Sequence, residues 1–168
     1  MVGSTNYGQC PGERAEKDHK EVIYRVADIV YDFNVNAPGA QVFEAISTPA
    51  GLDSWWTKRS SGAPAKGSAY KLWFGPDFDW EATVSRYTPN AEFELKLTAA
   101  QEDWLGTRVG FSLEEKAGTT EVHFHHLGWP EANAHYRGSC YCWAMYLRLL
   151  KRYIEHGELV AYENRPEA

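Results

Sequence analysis

The last third of the chain constrains the fold most. Residues 107–115 (TRVGFSLEE) and 119–127 (TTEVHFHHL) alternate apolar and polar positions, with Lys116-Ala117-Gly118 turning between them. Strict alternation is the mark of a half-buried strand, so the two segments read as a hairpin. After Gly128-Trp129-Pro130 the period changes. From about 135 to 156, Cys140, Trp143, Ala144, Leu147, Leu150 and Ile154 recur at helical spacing, and Gly157 suits the end of the run. Cys142, Tyr146, Leu149 and Tyr153 widen the apolar arc beyond the roughly 100° of a simple docking stripe. Such a helix packs on a sheet with part of its arc. The remainder is left for short helices, a ligand or a second subunit.

Upstream segments supply the rest of the sheet. Within a strand-like stretch over 22–36, Ile29, Tyr31, Phe33 and Val35 alternate with Val30, Asp32 and Asn34. Pro38 stops that strand and suits the first turn of a short helix carrying Val42, Phe43 and Ile46. Thr48-Pro49 opens a second short helix, PAGLDSWW. The stretch 58–67, rich in Ser, Gly, Ala and Pro, reads as a loop. Strands follow at 68–74 (Tyr70, Leu72, Phe74), 78–87 (Trp80, Ala82, Val84) and 91–98 (Phe93, Leu95, Leu97). Val109, Phe111 and Leu113 then share one face, as do Val122, Phe124 and His126.

The fold class is therefore α+β: a curved six-stranded antiparallel sheet wrapped around a long C-terminal helix, with two short helices after the first strand. Residues 1–21 read as a flexible N-terminal tail, 22–160 as a single domain and 161–168 as a C-terminal tail.

Charge excludes several functions. The net charge is −6 and no basic patch is present, which argues against nucleic acid as a partner. No apolar run approaches the roughly 20 residues needed to span a bilayer, and the N-terminus lacks a secretory apolar core. A cytoplasmic protein is expected. Cys10, Cys140 and Cys142 form no disulfide framework and read as small buried hydrophobes. Aromatic residues make up 14%, with seven Trp and ten Tyr, an excess that points to a ring-lined binding pocket.

The segments VNAPGAQVFEAIST, PAGLDSWW, GSAYKLWF and GTTEVHFHHLGW, together with the helix bearing Cys142-Trp143 and Leu147–Leu150, carry a family resemblance over roughly residues 28–156. In order and spacing they resemble the START/Bet v 1-like helix-grip superfamily, also called SRPBCC. Within it, the chain is similar to the group named after the C-terminal domain of the activator of Hsp90 ATPase. That resemblance implies a cavity between sheet and helix that takes lipids, sterols, polyketides or other apolar molecules. Some superfamily members are cyclases or hydrolases. No universal catalytic motif transfers, and no cofactor is implied.

The cavity expected from this reading is lined by Trp55, Trp56, Tyr70, Phe74, Trp80, Phe93, Phe111, His126, Trp129 and Tyr141. His126 falls on the inward face of its strand, where it is either an acid/base for a bound ligand or a core histidine with its hydrogen bonds satisfied. His123 and His125 share the opposite face, and two nitrogens alone do not make a metal site. Trp55 and Trp56 are adjacent on a helix, so their rings are expected to diverge, one packing under the long helix and one at the cavity mouth. Trp143 reads as core, Trp73 as exposed, and the Asp77, Asp79 and Glu81 cluster as a solvated strand edge. No nucleophile elbow or phosphate loop appears. The leading function is binding of an apolar small molecule without a cofactor. An enzyme using His126 is the alternative, and a chaperone-linked interaction module ranks third. The wide helical arc leaves a homodimer open.

Overall fold

Seven strands form in a computed structural model, which describes residues 28–167. They are β1 (Ile29–Val35), β2 (Arg59–Gly62), β3 (Ala69–Gly75), β4 (Phe78–Thr88), β5 (Glu92–Ala99), β6 (Arg108–Lys116) and β7 (Thr119–Leu127). The sheet is antiparallel throughout, in the order β1-β7-β6-β5-β4-β3-β2. Helices α1 (Gly39–Ser47) and α2 (Pro49–Trp55) lie between β1 and β2. The long helix α3 (Ala134–His156) follows β7, and a 3₁₀ turn (Tyr162–Glu167) closes the chain. No described helix is long and apolar enough to cross a membrane. The tail expected at 1–21, Cys10 and the first residues of the strand-like stretch lie outside the described residues.

The strand count corrects the sequence reading. β2 falls inside the stretch that its composition reads as a loop, because Arg-Ser-Ser-Gly carries no apolar alternation. Edge pairing with β3, from Arg59↔Trp73 to Gly62↔Tyr70, makes it a strand. Glycine is required at its end. Gly62 adopts φ +151°, and a Cβ there would lie 2.7 Å from the Tyr70 ring.

Register sets the core rows. Across β1, β7 and β6, Ile29↔His126↔Val109, Tyr31↔Phe124↔Phe111 and Phe33↔Val122↔Leu113 stand side by side on the inner face. Tyr70, Leu72, Trp80, Ala82, Val84, Phe93, Leu95 and Leu97 extend the same face and are buried. Register shifts in β3–β4 and β4–β5 bend this half of the sheet, as bulges do.

Helix α3 lies against that face through Trp143, Leu147, Leu150 and Ile154, all buried as their 3.6-residue spacing requires. Burying each such side chain contributes about 1.5–3 kcal/mol. Asn133 caps the helix by accepting from the Tyr136 N–H at 2.9 Å, and Gly157 ends it in the left-handed conformation at φ 66°. The cysteines depart from their expected burial. Cys140 is half-buried and Cys142 exposed.

The C-terminus also departs from the tail read at 161–168. Arg165 is buried and donates to three backbone carbonyls, those of Asp53 (2.6 Å), Thr57 (3.1 Å) and Val160 (3.1 Å). A guanidinium has enough fixed donors to satisfy all three at once. It fastens the 3₁₀ turn to the end of α2.

Candidate ligand-binding cleft

Five aromatic side chains from five segments close into a circuit. Trp56, just after α2, meets Phe74 of β3 at 5.5 Å between centroids, and Phe74 meets Trp80 of β4 at 5.0 Å. Trp80 meets Trp104 of the β5–β6 loop at 4.8 Å; Trp104 stacks on Trp143 of α3 at 5.8 Å, and Trp143 returns to Trp56 at 5.2 Å. Ring pairs of this kind contribute about 0.5–1.5 kcal/mol each beyond their buried area. The loop that brings Trp104 inward is itself tightly bonded. Trp104 N–H donates to the Gln101 carbonyl and Gly106 N–H to the Leu97 carbonyl, both at 2.9 Å.

Beside this circuit lies a cleft of about 450 Å³ between the N-terminal half of α3 and the β3–β4 end of the sheet. Trp56, Phe74, Phe78, Trp80 and Trp104 form its aromatic wall, and Tyr146 and Tyr162 add rings from α3 and the 3₁₀ turn. Its polar groups are few: Gln101, His135, Ser139 and Cys142. Among the described residues, no Lys or Arg lines it. Although Cys142 reaches solvent, partial desolvation in the cleft raises its thiol above its ordinary pKa.

One polar pair stands at the rim. His135 Nδ1 lies 2.9 Å from Asp103 Oδ2, and the same oxygen accepts from Asn133 Nδ2 at 3.1 Å. The hydrogen bonds from His135 and Asn133 hold the Asp103 carboxyl below its usual range. Asn133 therefore does two jobs, capping α3 with its oxygen and steadying Asp103 with its nitrogen.

His126 does not face the cleft. It is fully buried, with Nε2 2.9 Å from Thr107 Oγ1 and Nδ1 accepting from the Trp143 indole at 3.0 Å. Both nitrogens are committed inside the core. Burial pushes its pKa down to about 3, so the ring is neutral. The acid/base reading of His126 is thereby corrected in favour of a satisfied core histidine.

Of the ten residues expected to line the cavity, the structure brings three together at the cleft: Trp56, Phe74 and Trp80. Tyr70, Phe93 and Phe111 are core rows. Trp55 is a plug that donates from Nε1 to the Ala45 carbonyl at 3.0 Å and sets its edge on Phe111. Its ring does not diverge from Trp56 but stacks on it at 5.9 Å and 22°. Trp129 packs behind Trp104 and His126. Tyr141 is 76% exposed and away from the cleft. The interior beneath Trp143 is filled by Phe124, Phe111 and Trp55, so the open space lies at one end of the grip rather than along it.

On the outer face His123 pairs with Asp32 and His125 with Glu94, each at 2.8 Å. Among the described residues no cluster of three or more His, Cys, Asp or Glu forms a metal site. Trp73 is half-buried beneath the Lys58 and Arg59 cations.

Sequence reasoning passed over Trp104, Phe78, His135, Asp103 and Tyr162. The available signal was Trp104 itself, a large apolar ring inside the charged segment Gln-Glu-Asp-Trp-Leu-Gly between two strands. The indole N–H groups of Trp104 and Trp129 are buried without an acceptor. Both indoles pack against neighbouring rings, which offer at most weak acceptors.

A family model described as Activator of Hsp90 ATPase homolog 1-like protein matches residues 36–155. No curated protein matches the sequence. The solution structure of the Aha1 dimer from Colwellia psychrerythraea is similar at 30% identity and TM-score 0.70, over 78% of this chain and 98% of that one. A protein from Staphylococcus saprophyticus has TM-score 0.67 at 23% identity, over 79% of this chain and 95% of that one. DynU16, a putative protein in the dynemicin biosynthetic locus, has TM-score 0.65 at 20% identity, over 80% of this chain and 50% of that one. The last two likenesses concern the fold alone.

Proposed function

The chain belongs to the activator of Hsp90 ATPase homolog 1-like family, and from that premise we propose that it binds an aromatic or otherwise apolar small molecule in the Trp56–Phe74–Trp80–Trp104 cleft. The observation that carries this reading is the cleft itself. It offers about 450 Å³ walled by rings with a few polar groups on one side. Small-molecule sites have that composition and run from about 300 to 1,000 Å³. Ligand surface buried there contributes roughly 25 cal/mol per Å². The protein's rings are already fixed by contact with one another, so little ordering cost opposes binding. DynU16, which shares the fold, is a putative protein in the dynemicin biosynthetic locus. The Colwellia relative is a dimer, and self-association belongs to the same proposal, to be read by sedimentation.

Thermal shift and native mass spectrometry against two- and three-ring aromatics and long-chain alcohols test the reading. A ligand present at 100 times its Kd stabilises the fold by about 2.7 kcal/mol, which raises Tm by several degrees. Trp80→Ala and Trp104→Ala remove the wall and should abolish the shift. If the native protein retains nothing and no compound moves its Tm, small-molecule binding is excluded.

A further inference from the structure

The rim pair and the buried histidine carry opposite tautomers, and the difference identifies which one can meet a ligand. Trp143 can only donate, so His126 presents a bare Nδ1 to it and carries its proton on Nε2, which Thr107 accepts. That ring has nothing left to offer. In His135 the assignment is reversed. An ionised carboxylate can only accept, so the Asp103 oxygen fixes the proton on Nδ1. With the Nδ1 proton so held, the Nε2 lone pair of the uncharged tautomer is the free acceptor, and Nε2 hydrogen-bonds to no described residue. His135 lines the cleft, and Ser139 lines it one helical turn further on the same face.

We propose that the Asp103–His135 dyad is a proton-accepting subsite of this cleft, selecting ring ligands that carry a phenolic hydroxyl. The proposal rests on the cleft being a ligand site and goes beyond it by naming the ligand's polar group. A phenol lays its ring on the aromatic wall and donates its O–H to Nε2. If the proton crosses, it moves from the phenol oxygen to Nε2, leaving a phenolate beside an imidazolium that Asp103 already braces. No other reactant is needed. Among the described residues no Lys or Arg lines the cleft, and Arg165 is committed to three carbonyls, so none of them offers a cation to a carboxylate ligand.

The test compares 2-naphthol with 2-methoxynaphthalene, which has the same rings but no donor, by tryptophan fluorescence titration. The native protein should bind 2-naphthol about tenfold more tightly, the worth of one buried hydrogen bond. His135→Phe keeps a ring but no acceptor. It should bring the ratio of the two affinities to about one. Asp103→Asn adds a readout that a structural role would not move. The amide can donate to Nδ1, which shifts the proton to Nε2 and makes it a donor, so the preference should vanish or turn toward the methoxy compound. This variant serves also if His135→Phe fails to fold. Equal binding of the two probes to the native protein, or a preference that survives both substitutions, overturns the subsite while leaving the cleft intact. If neither probe binds the native protein, the cleft reading falls first and the subsite with it.

Discussion

The indole N–H of Trp143 donates to His126 Nδ1 across 3.0 Å, and the opposite nitrogen of the same ring gives its proton to Thr107 Oγ1 at 2.9 Å. Thr107 in turn donates to the Trp104 carbonyl at 2.7 Å. One directed chain of hydrogen bonds thus runs from the long helix through β7 to the loop that carries Asp103 and the cleft wall. The position of Trp104, and so the shape of the cleft, depends on a histidine that never meets solvent.

Replacing that histidine tests the chain. His126→Phe keeps an aromatic ring but leaves the Trp143 N–H buried without an acceptor, a cost of about 1–3 kcal/mol. It also changes the response to acid. His126 is neutral when folded, with its pKa near 3, whereas the unfolded chain takes up a proton near the ordinary 6.5. Its contribution is therefore complete above about pH 6.5. Below that, stability falls by up to about 1.4 kcal/mol per pH unit until the folded pKa is reached. Urea midpoints of the variant between about pH 6 and 4 should decline less steeply than those of the native protein. Parallel curves would show that the buried ring is not neutral.

Arg165 ties the last turn to α2 by three carbonyls, so Arg165→Ala should release it. The loss of charge-assisted bonds costs about 1.5–3 kcal/mol locally. Hydrogen exchange should accelerate in residues 160–167, and ligand affinity should drop several-fold as Tyr162 leaves the cleft wall. Arg165→Lys restores little, because one ammonium cannot reproduce the guanidinium's fork. Unchanged exchange in the variant would rule out the anchoring role.

On the outer face Gly110 stands between Glu94 and His125 in register, and its missing side chain lets the two meet at 2.8 Å. A Cβ at Gly110 would lie 2.6 Å from His125 Nε2 and 2.9 Å from Glu94 Cβ. Gly110→Ala should cost about 1–3 kcal/mol in equilibrium unfolding at neutral pH. Burial opposes the Glu94 charge, but hydrogen bonds from His125 and Ser85 outweigh it and lower its pKa. The native pair therefore stabilises above the ordinary carboxylate value of 4.5 and is lost as pH falls through the lowered one. Glu94→Gln should flatten that acid limb. A Gly110→Ala protein as stable as the native one would mean that the face is open, not braced.

Alternation and helical period made most of the fold legible, because both are local. Val109, Phe111 and Leu113 point inward by the same rule that places Val122, Phe124 and His126, and Trp143 follows from its spacing to Leu147 and Leu150. β2 was illegible because Arg59-Ser60-Ser61-Gly62 has no pattern of its own and is a strand only by its partner. The cleft was harder still. Which rings border space and which fill it depends on packing between distant segments. Tyr141 is expected in the cavity and Tyr146 only on the helix's apolar arc, yet Tyr141 is exposed and Tyr146 lines the cleft. The Asp103–His135 contact joins a loop to a helix 32 residues away, and no spacing rule reaches that far.

The most direct measurement follows the seven indole N–H resonances by NMR during titration with a two-ring aromatic such as 2-naphthol. A ligand in the cleft should shift the Trp56, Trp80 and Trp104 signals in a saturable way. Trp73, on the cation-covered outer side of β3, should remain still. Saturable shifts confined to Trp73, or seven resonances that do not move at any ligand concentration, would contradict a binding cleft at this end of the grip.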